Sequence, residues 1–114
     1  MGYYNDSCKY LSGVLIAEQT VFIDSALEQV MDCYLSTEQE NILLLESALD
    51  NQNFLLLMEL GDKLYGHGSS FGFPFITQVG RKIELAAIAK DSFLLFSLIN
   101  SLKTYLENVS IHYV

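Results

Sequence analysis

Basic side chains are scarce in this sequence, and their scarcity limits what the protein can bind. The 114 residues include six lysines and arginines against fourteen aspartates and glutamates, which gives a net charge of -8. Nucleic-acid binding needs a basic surface, and anionic membranes attract polybasic segments. The composition therefore disfavours both targets, and it is compatible with a protein partner whose contact face is neutral or basic.

Cysteines and long apolar runs are also rare. The chain has two cysteines, Cys8 and Cys33, which are too few for a disulfide framework. The first ten residues lack a basic segment followed by an apolar one, and no uncharged apolar run approaches the ~20 residues of a membrane span. We therefore expect a reduced, cytoplasmic protein without a signal peptide or a transmembrane segment.

Patterns that carry catalysis or bind metals are missing as well. The segment 66–72, GHGSSFG, fits neither the dinucleotide fingerprint nor the phosphate-binding loop. Asp62, His67 and Ser69 could be drawn as a catalytic triad, but a chain of this size yields such triples by chance. We expect no cofactor, no metal and no enzymatic activity. Metal-ligand spacing is absent among the cysteines and histidines, which are Cys8, Cys33, His67 and His112.

Apolar periodicity is what the sequence does contain. The 114 residues are 51% hydrophobic, which fits one domain with one core. Residues 1–20 show no clear period and predict either a short helix or an arm. Beyond them, apolar residues recur at helical spacing, and Ser36 with Gln39 forms a capping box that predicts a new helix. The predicted helices cover 21–35, 36–50, 54–71, 75–89 and 92–109.

Turn signals separate most of these helices. Residues 51–53 form a short polar turn, Gly72-Phe73-Pro74 ends the third helix, and Asp91 is a candidate N-cap of the fifth. Short turns make consecutive helices antiparallel neighbours. The sequence therefore predicts an antiparallel helical bundle.

Several side-chain groups are assigned ordinary structural roles. The phenylalanine and leucine stripe at 93–106 is interpreted as core, and His112 as part of a short tail. Arg81 and Lys82 are expected to face water, with partner docking as the alternative. A solvated helix face is predicted for the acidic residues Glu38, Glu40, Glu46 and Asp50.

The segment 61–75, GDKLYGHGSSFGFPF, concentrates four glycines and the single proline of the chain. A glycine inside a helix costs about 1 kcal/mol relative to alanine, so Gly66 and Gly68 need a reason. One explanation is that they let two helices approach closely. The other is that Gly66, ~40° around the helix from Asp62, leaves that side chain open to a partner. His67 lies ~140° from Asp62 by the same geometry, on another face.

Residues 60–73, LGDKLYGHGSSFGF, resemble the histidine phosphotransfer (HPt) motif His-x-Leu-Lys-Gly-Ser-Gly-x-Ser-Tyr-Gly-Phe. The likeness covers about residues 30–113. The resemblance implies an all-α fold: an antiparallel up-down four-helix bundle over residues 21–114 with an accessory N-terminal helix or arm over 1–20. Outside the motif it rests on Tyr34, Leu35, Leu44, Ala48, Leu49, Asn53, Phe54, Ile76, Gly80, Ile83, Glu84, Ala86, Ala87, Asp91, Tyr105 and Leu106.

The sequence departs from the family at the position that matters most. Asp62 stands where the resemblance places the phosphorylated histidine, Tyr65 replaces the motif lysine, and His67 replaces a small residue. We therefore expect a module that binds a response-regulator receiver domain or a hybrid sensor kinase without relaying phosphate. We expect a monomer or a homodimer, with no nucleic acid or membrane partner. The docking surface around Asp62 would comprise Glu59, Lys63, Tyr65, Gly66, Ser69 and Ser70.

Three alternatives stay open at this point. Asp62 could be an engineered substitution in an active phosphotransfer protein. His67 could be a relocated phosphoacceptor, although an ordinary surface or contact histidine is favoured. The chain could also be an oligomeric helical scaffold unrelated to phosphorelay, which its apolar last helix would suit.

Overall fold

The computed structural model describes residues 20–114, so the arm or helix expected over 1–20 lies outside the described residues except for Thr20. The described chain is mostly helical, as predicted, but it also contains a small parallel sheet that the sequence analysis does not anticipate. Its elements, in chain order, are β1 (Thr20–Ile23), a 3-10 turn (Ser25–Leu27), α1 (Glu28–Asp50), α2 (Phe54–Phe71), α3 (Pro74–Ile88), α4 (Ser92–Asn108) and β2 (Ser110–Tyr113).

The predicted first helix is wrong over its opening residues, which form β1. Val21 and Ile23 are buried and Phe22 is exposed, the alternation of a strand with one face on the core. β1 pairs in parallel with β2, and Val21 lies opposite Ile111. The predicted short tail is therefore a strand, and the pairing joins residues too far apart in sequence for local periodicity to reveal.

The predicted helix boundary at Ser36 is also wrong, because α1 runs through it without a break. The Thr37 hydroxyl donates a hydrogen bond to the Cys33 carbonyl at 2.9 Å, which satisfies that polar side chain within the helix. Ser36 and Gln39 are exposed on the outer side of α1, where a polar residue is compatible with a continuous helix.

A continuous α1 changes the environment of Glu38. This residue falls on the buried stripe with Tyr34 and Ile42, and its exposed fraction is 0%. The expectation that Glu38 belongs to a solvated face is therefore wrong. Of the other acidic residues in that group, Glu40 and Asp50 are exposed and Glu46 is half-buried.

The remaining helix ends agree with the sequence signals. The Asn53 side-chain oxygen accepts a hydrogen bond from the Leu56 amide at 3.1 Å and caps α2. Gly72 ends α2 in the left-handed region with φ 86, a conformation that favours glycine, and Pro74 begins α3. Asp91 caps α4 through the Leu94 amide at 3.1 Å, as predicted.

One hydrophobic core collects side chains from all four helices. α4 contributes fewer side chains to the core than predicted. Phe93 and Phe96, which belong to the stripe predicted as core, are 81% and 57% exposed. None of the helices within residues 20–114 is both long and apolar enough to cross a membrane. The fully buried members of the core include Leu45, Leu57, Leu64, Phe73, Ile76, Ile83, Leu95 and Leu102.

α2 and α3 approach so closely that side chains would not fit between them. A Cβ on Gly80 would lie 2.6 Å from the Tyr65 nitrogen, and a Cβ on Gly61 would lie 2.7 Å from the Gly80 oxygen. A Cβ on Gly68 would lie 2.6 Å from the Thr77 nitrogen. Later residues of α2 meet earlier residues of α3, so this pair of helices runs in opposite directions. We call this contact the glycine seam.

Candidate functional site

Asp62 lies on the outer face of α2, opposite the side that packs on the core. It is exposed, whereas Leu57, Leu60 and Leu64 are buried. At 100° per residue these leucines lie roughly 140–160° around the helix from position 62. The carboxylate therefore projects from the middle of a surface that the fold leaves open.

Gly66 and Gly68, two residues apart on α2, have different surroundings. A Cβ on Gly66 would meet nothing within 4 Å, so the space beside Asp62 is empty on that side. A Cβ on Gly68 would collide with backbone and side-chain atoms of Thr77 at 2.6 Å. The two explanations offered from the sequence thus divide between the glycines: Gly68 permits close helix packing, and Gly66 leaves the surface open.

The other residues expected around Asp62 are also exposed, and they lie on the same face of α2 or at the edges of that face. At Ser69, a hollow of about 330 Å³ is lined by glycines and polar residues such as Thr77, together with the apolar residues Phe73 and Pro74. The C-terminal end of α2, which leads into α3, is therefore recessed and accessible. We call it the α2 surface, and its exposed members are Glu59, Asp62, Lys63, Tyr65, Gly66, Ser69 and Ser70.

Arg81 of α3 brings a cation to the edge of the α2 surface. Its Cζ lies 5.6 Å from the centroid of the Tyr65 ring, within the range of a cation–π contact. Its Nη1 lies 3.8 Å from Oε1 of Glu84, a buried oxygen that accepts no hydrogen bond. The Arg81 side chain is still 56% exposed, so its charge remains available to a partner.

The contact of Arg81 with Tyr65 does not follow from local sequence patterns, because it depends on how α2 and α3 meet. Arg81 is exposed, as expected, but it also contacts the tyrosine that stands in the motif-lysine position. Only the pairing of Tyr65 with Gly80 across the glycine seam places the two side chains together. The usable signal in the sequence was the set of glycines on α2 and α3, which indicates a close crossing.

The residues considered for catalysis or metal binding are spread over the molecule. His67 is half-buried and lies ~140° around α2 from Asp62, so it does not share the α2 surface. His112 is in β2, where its ring lies 5.5 Å from that of Phe22, and Cys33 is exposed on α1. Within residues 20–114 no group of three or more histidine, cysteine or acidic side chains is arranged to hold a metal ion.

A second cluster of polar side chains, formed by Tyr34, Glu38 and Asn41, lies along the inner side of α1. Asn41 donates a hydrogen bond to Oε1 of Glu38 at 2.8 Å, while Oε2 of Glu38 and the Tyr34 hydroxyl are buried without a hydrogen-bond partner. Burial raises the pKa of Tyr34, and the Glu38 carboxylate raises it further. The sequence signal for this group was the four-residue spacing of Tyr34, Glu38 and Ile42, which becomes a single stripe once α1 is continuous.

Comparison of the chain with protein-family models, with curated proteins and with solved structures finds no match in any of the three. The resemblance to the histidine phosphotransfer family therefore stays a prediction from the residues themselves.

Proposed function

We propose that this chain is an HPt-like signalling module that binds a receiver domain of a two-component phosphorelay without relaying phosphate. The observation that carries the proposal is the position of Asp62, exposed in the middle of the outer face of α2 with open space beside Gly66. The position that resembles the phosphoacceptor of the phosphotransfer family thus lies on an accessible face of α2, while other residues of the motif pack against the core and α3.

The chemistry of position 62 is the reason to expect binding without phosphotransfer. A neutral imidazole is a good nucleophile at neutral pH, and it can accept a phosphoryl group from a receiver aspartate. A carboxylate would need Mg²⁺ and neighbouring acids to be phosphorylated, and Glu59 is the one acid within a turn of Asp62. Asp62 instead presents a fixed negative charge where the family would carry its phosphohistidine.

Arg81 supports the docking role. The resemblance places a lysine at position 65, and its replacement by Tyr65 removes a cation that would stabilise transferred phosphate. The aromatic ring holds the guanidinium of Arg81 at the edge of the same surface. The cation is then displaced from the reacting position but remains available to acidic groups of a receiver domain.

The fold that the resemblance implies is part of the proposal. We infer an antiparallel up-down four-helix bundle, and the opposite directions of α2 and α3 support it. The module would act in the bacterial cytoplasm and would sequester or regulate a receiver domain or a hybrid sensor kinase.

Intact-mass measurement of phosphorylation tests the chemistry. The protein would be mixed with Mg²⁺ and a panel of phosphorylated receiver domains, beside the variants Asp62→His and His67→Ala. We expect the unaltered protein to stay unmodified and Asp62→His to gain one phosphate, since the histidine restores the nucleophile on an intact docking face. Phosphorylation of the unaltered protein that His67→Ala abolishes would identify a relocated acceptor and contradict the proposal.

Calorimetric titration tests the surface independently of the chemistry. Ser69→Trp places a bulky ring on the α2 surface, and Ser101→Trp makes the same change on the exposed side of α4. We expect the first variant to lose receiver binding and the second to keep it. Failure of every receiver domain to bind, or equal binding by both variants, would reject the α2 surface as the docking site. Concentration-dependent sizing would then test the oligomeric scaffold.

A further inference from the structure

An apolar groove lies between α3 and α4. It has a volume of about 270 Å³, enough for one large apolar side chain, and its lining includes Leu85, Ala86, Ala89, Leu94 and Leu98. Leu85 and Leu94 are 53% and 43% exposed, so they form its open rim. Exposed apolar grooves are candidate interaction sites, so this groove is a candidate docking surface.

Two further apolar side chains are exposed on the same two helices, next in sequence to or within one turn of groove residues. Ile88 follows Leu85 by almost one turn of α3 and is 57% exposed. Phe93, at the start of α4, is 81% exposed, the highest value among the large hydrophobic residues of the described chain. The groove and these two residues together form what we call the α3–α4 patch.

Two lysines and one aspartate lie at the α3–α4 patch, whereas the protein as a whole is strongly acidic. Lys82 lines the groove and Lys90 is exposed in the turn before α4, and neither has an ion-pair partner within residues 20–114. Asp91, the acid at the groove, uses a side-chain oxygen to cap α4 through the Leu94 amide. By comparison, α1 carries six acidic residues and no basic one.

We propose that the α3–α4 patch docks an acidic amphipathic helix of a partner protein. An apolar face with residues one turn apart would lay its side chains along the groove between the two helices. Glutamates or aspartates beside that face would meet Lys82 and Lys90. Opposite charges of this kind steer association and fix orientation.

The charge of the whole protein argues against the two other occupants. A net charge of -8 opposes adsorption to an anionic membrane, even though the patch itself is apolar and carries two lysines. The same charge makes two copies of this chain repel each other at long range. A short acidic helix meets mainly the local field of the two lysines and escapes most of that repulsion, because salt screens distant charges.

This inference goes beyond the proposed receiver docking and does not depend on Asp62. Lys82 projects ~100° around α3 from Arg81, whereas Leu85 lies only ~40° from Arg81 and about one turn along, so the patch begins beside the edge of the α2 surface.

Nuclear magnetic resonance of leucine methyl groups tests the proposal with a defined probe. The probe is a synthetic peptide of roughly 15 residues with leucine at every third or fourth position and glutamate between them. A second peptide carries lysine in place of glutamate. We expect the glutamate peptide to shift the methyl signals of Leu85 and Leu94 saturably, and the lysine peptide to leave them unchanged.

Matched variants assign the binding to the patch. Lys82→Glu should weaken binding of the glutamate peptide at least about tenfold. Lys103→Glu makes the same charge change about two and a half turns beyond Leu94 on α4 and also breaks the surface ion pair of Lys103 with Glu46, yet it should leave peptide binding unchanged. Leu94→Ala should also weaken binding of the glutamate peptide, whereas Leu43→Ala, on the exposed side of α1, should leave it unchanged. Ser69→Trp on the α2 surface should leave peptide binding intact, which separates this test from the receiver experiment.

Four results would overturn the inference. One is the absence of saturable shifts at millimolar glutamate peptide, and another is equal shifts of Leu85 and Leu94 by the lysine peptide. A third is sedimentation of the protein with phosphatidylglycerol vesicles that Lys82→Glu abolishes, since the patch would then bind membranes. The fourth is a concentration-dependent dimer that Phe93→Asp converts to monomer, since a second copy would then cover the patch.

Discussion

The inner and outer faces of α2 use the same residue type for opposite purposes. On the inner face, Gly61 and Gly68 bring the backbone of α3 within van der Waals reach, and any side chain there would collide with it. On the outer face, Gly66 has nothing near it and leaves Asp62 uncovered. The comparison shows that a glycine inside a helix has no single meaning, and that the face it occupies decides whether it serves packing or access.

The largest change in stability is expected for substitutions at the glycine seam between α2 and α3. In Gly80→Ala the new methyl group would lie 2.6 Å from the Tyr65 nitrogen and 2.7 Å from the Gly61 oxygen, two backbone atoms that cannot move independently of their helices. We expect the free energy of unfolding to fall by about 3 kcal/mol. Urea denaturation followed by circular dichroism measures it.

Gly68→Ala is the companion variant on α2 and should also destabilise the protein, because its methyl group would meet Thr77 at 2.6 Å. If either variant were as stable as the original protein, α2 and α3 would not cross as closely as described, and the inner face of α2 would lose its distinction from the outer one.

A smaller change in stability is expected from Tyr34. This residue lies in the core beside the C-terminal end of α2. The ring of this residue stacks on Phe71 at 4.2 Å, and burial together with Glu38 raises the pKa of its hydroxyl above the ordinary value of 10.0. The unfolded state therefore releases this proton at a lower pH than the folded state. Stability from this group is present below pH 10 and is lost as the pH rises above it, by up to about 1.4 kcal/mol per pH unit.

Tyr34→Phe keeps the stacked ring and removes the titrating hydroxyl. We expect the variant to lose less stability than the original protein between pH 10 and pH 11, measured by urea denaturation at each pH. Parallel pH profiles for the two proteins would mean that Tyr34 ionises as easily in the folded state as in the unfolded chain. The buried position described for its hydroxyl would then be wrong.

The smallest effect is expected on the outer face. Gly66→Ala adds a methyl group to open space and replaces a poor helix former by a good one, so we expect stability to rise by about 1 kcal/mol. The matched inner variant, Gly68→Ala, carries the same propensity gain and should still destabilise. A loss of stability in Gly66→Ala would show that the surface beside Asp62 is occupied.

Sequence reasoning was most successful where a structural signal is local. Asn53, Gly72, Pro74 and Asp91 act on residues within one helical turn, and both ends of α2, the start of α3 and the start of α4 follow them closely. The capping box at Ser36 shows the limit of such signals. Its serine and glutamine fit the exposed side of a continuous helix equally well, so the pattern could not decide between a new helix and an unbroken one.

The failures concern contacts between residues distant in sequence. β1 depends on β2, which lies near the other end of the described chain, and three residues such as Val21, Phe22 and Ile23 also fit a helical stripe. The meaning of Gly66 and Gly68 depends on where α3 lies. For the candidate site, the position of Asp62 on an exposed face followed from helical geometry, whereas the contact of Arg81 with Tyr65 required the packed structure.

The pairing of β1 with β2 has a mechanical consequence. The strands are parallel, and the Ser25 and Val114 amides add hydrogen bonds of 3.0 Å and 2.9 Å just beyond the pairing. A force that pulls Thr20 and Val114 apart therefore runs along both strands and loads their hydrogen bonds together in shear, before it can reach the helices. The paired strands join the two ends of the described chain. When the protein is stretched from these ends, we expect the hydrogen bonds between β1 and β2 to be the first structure that resists the force.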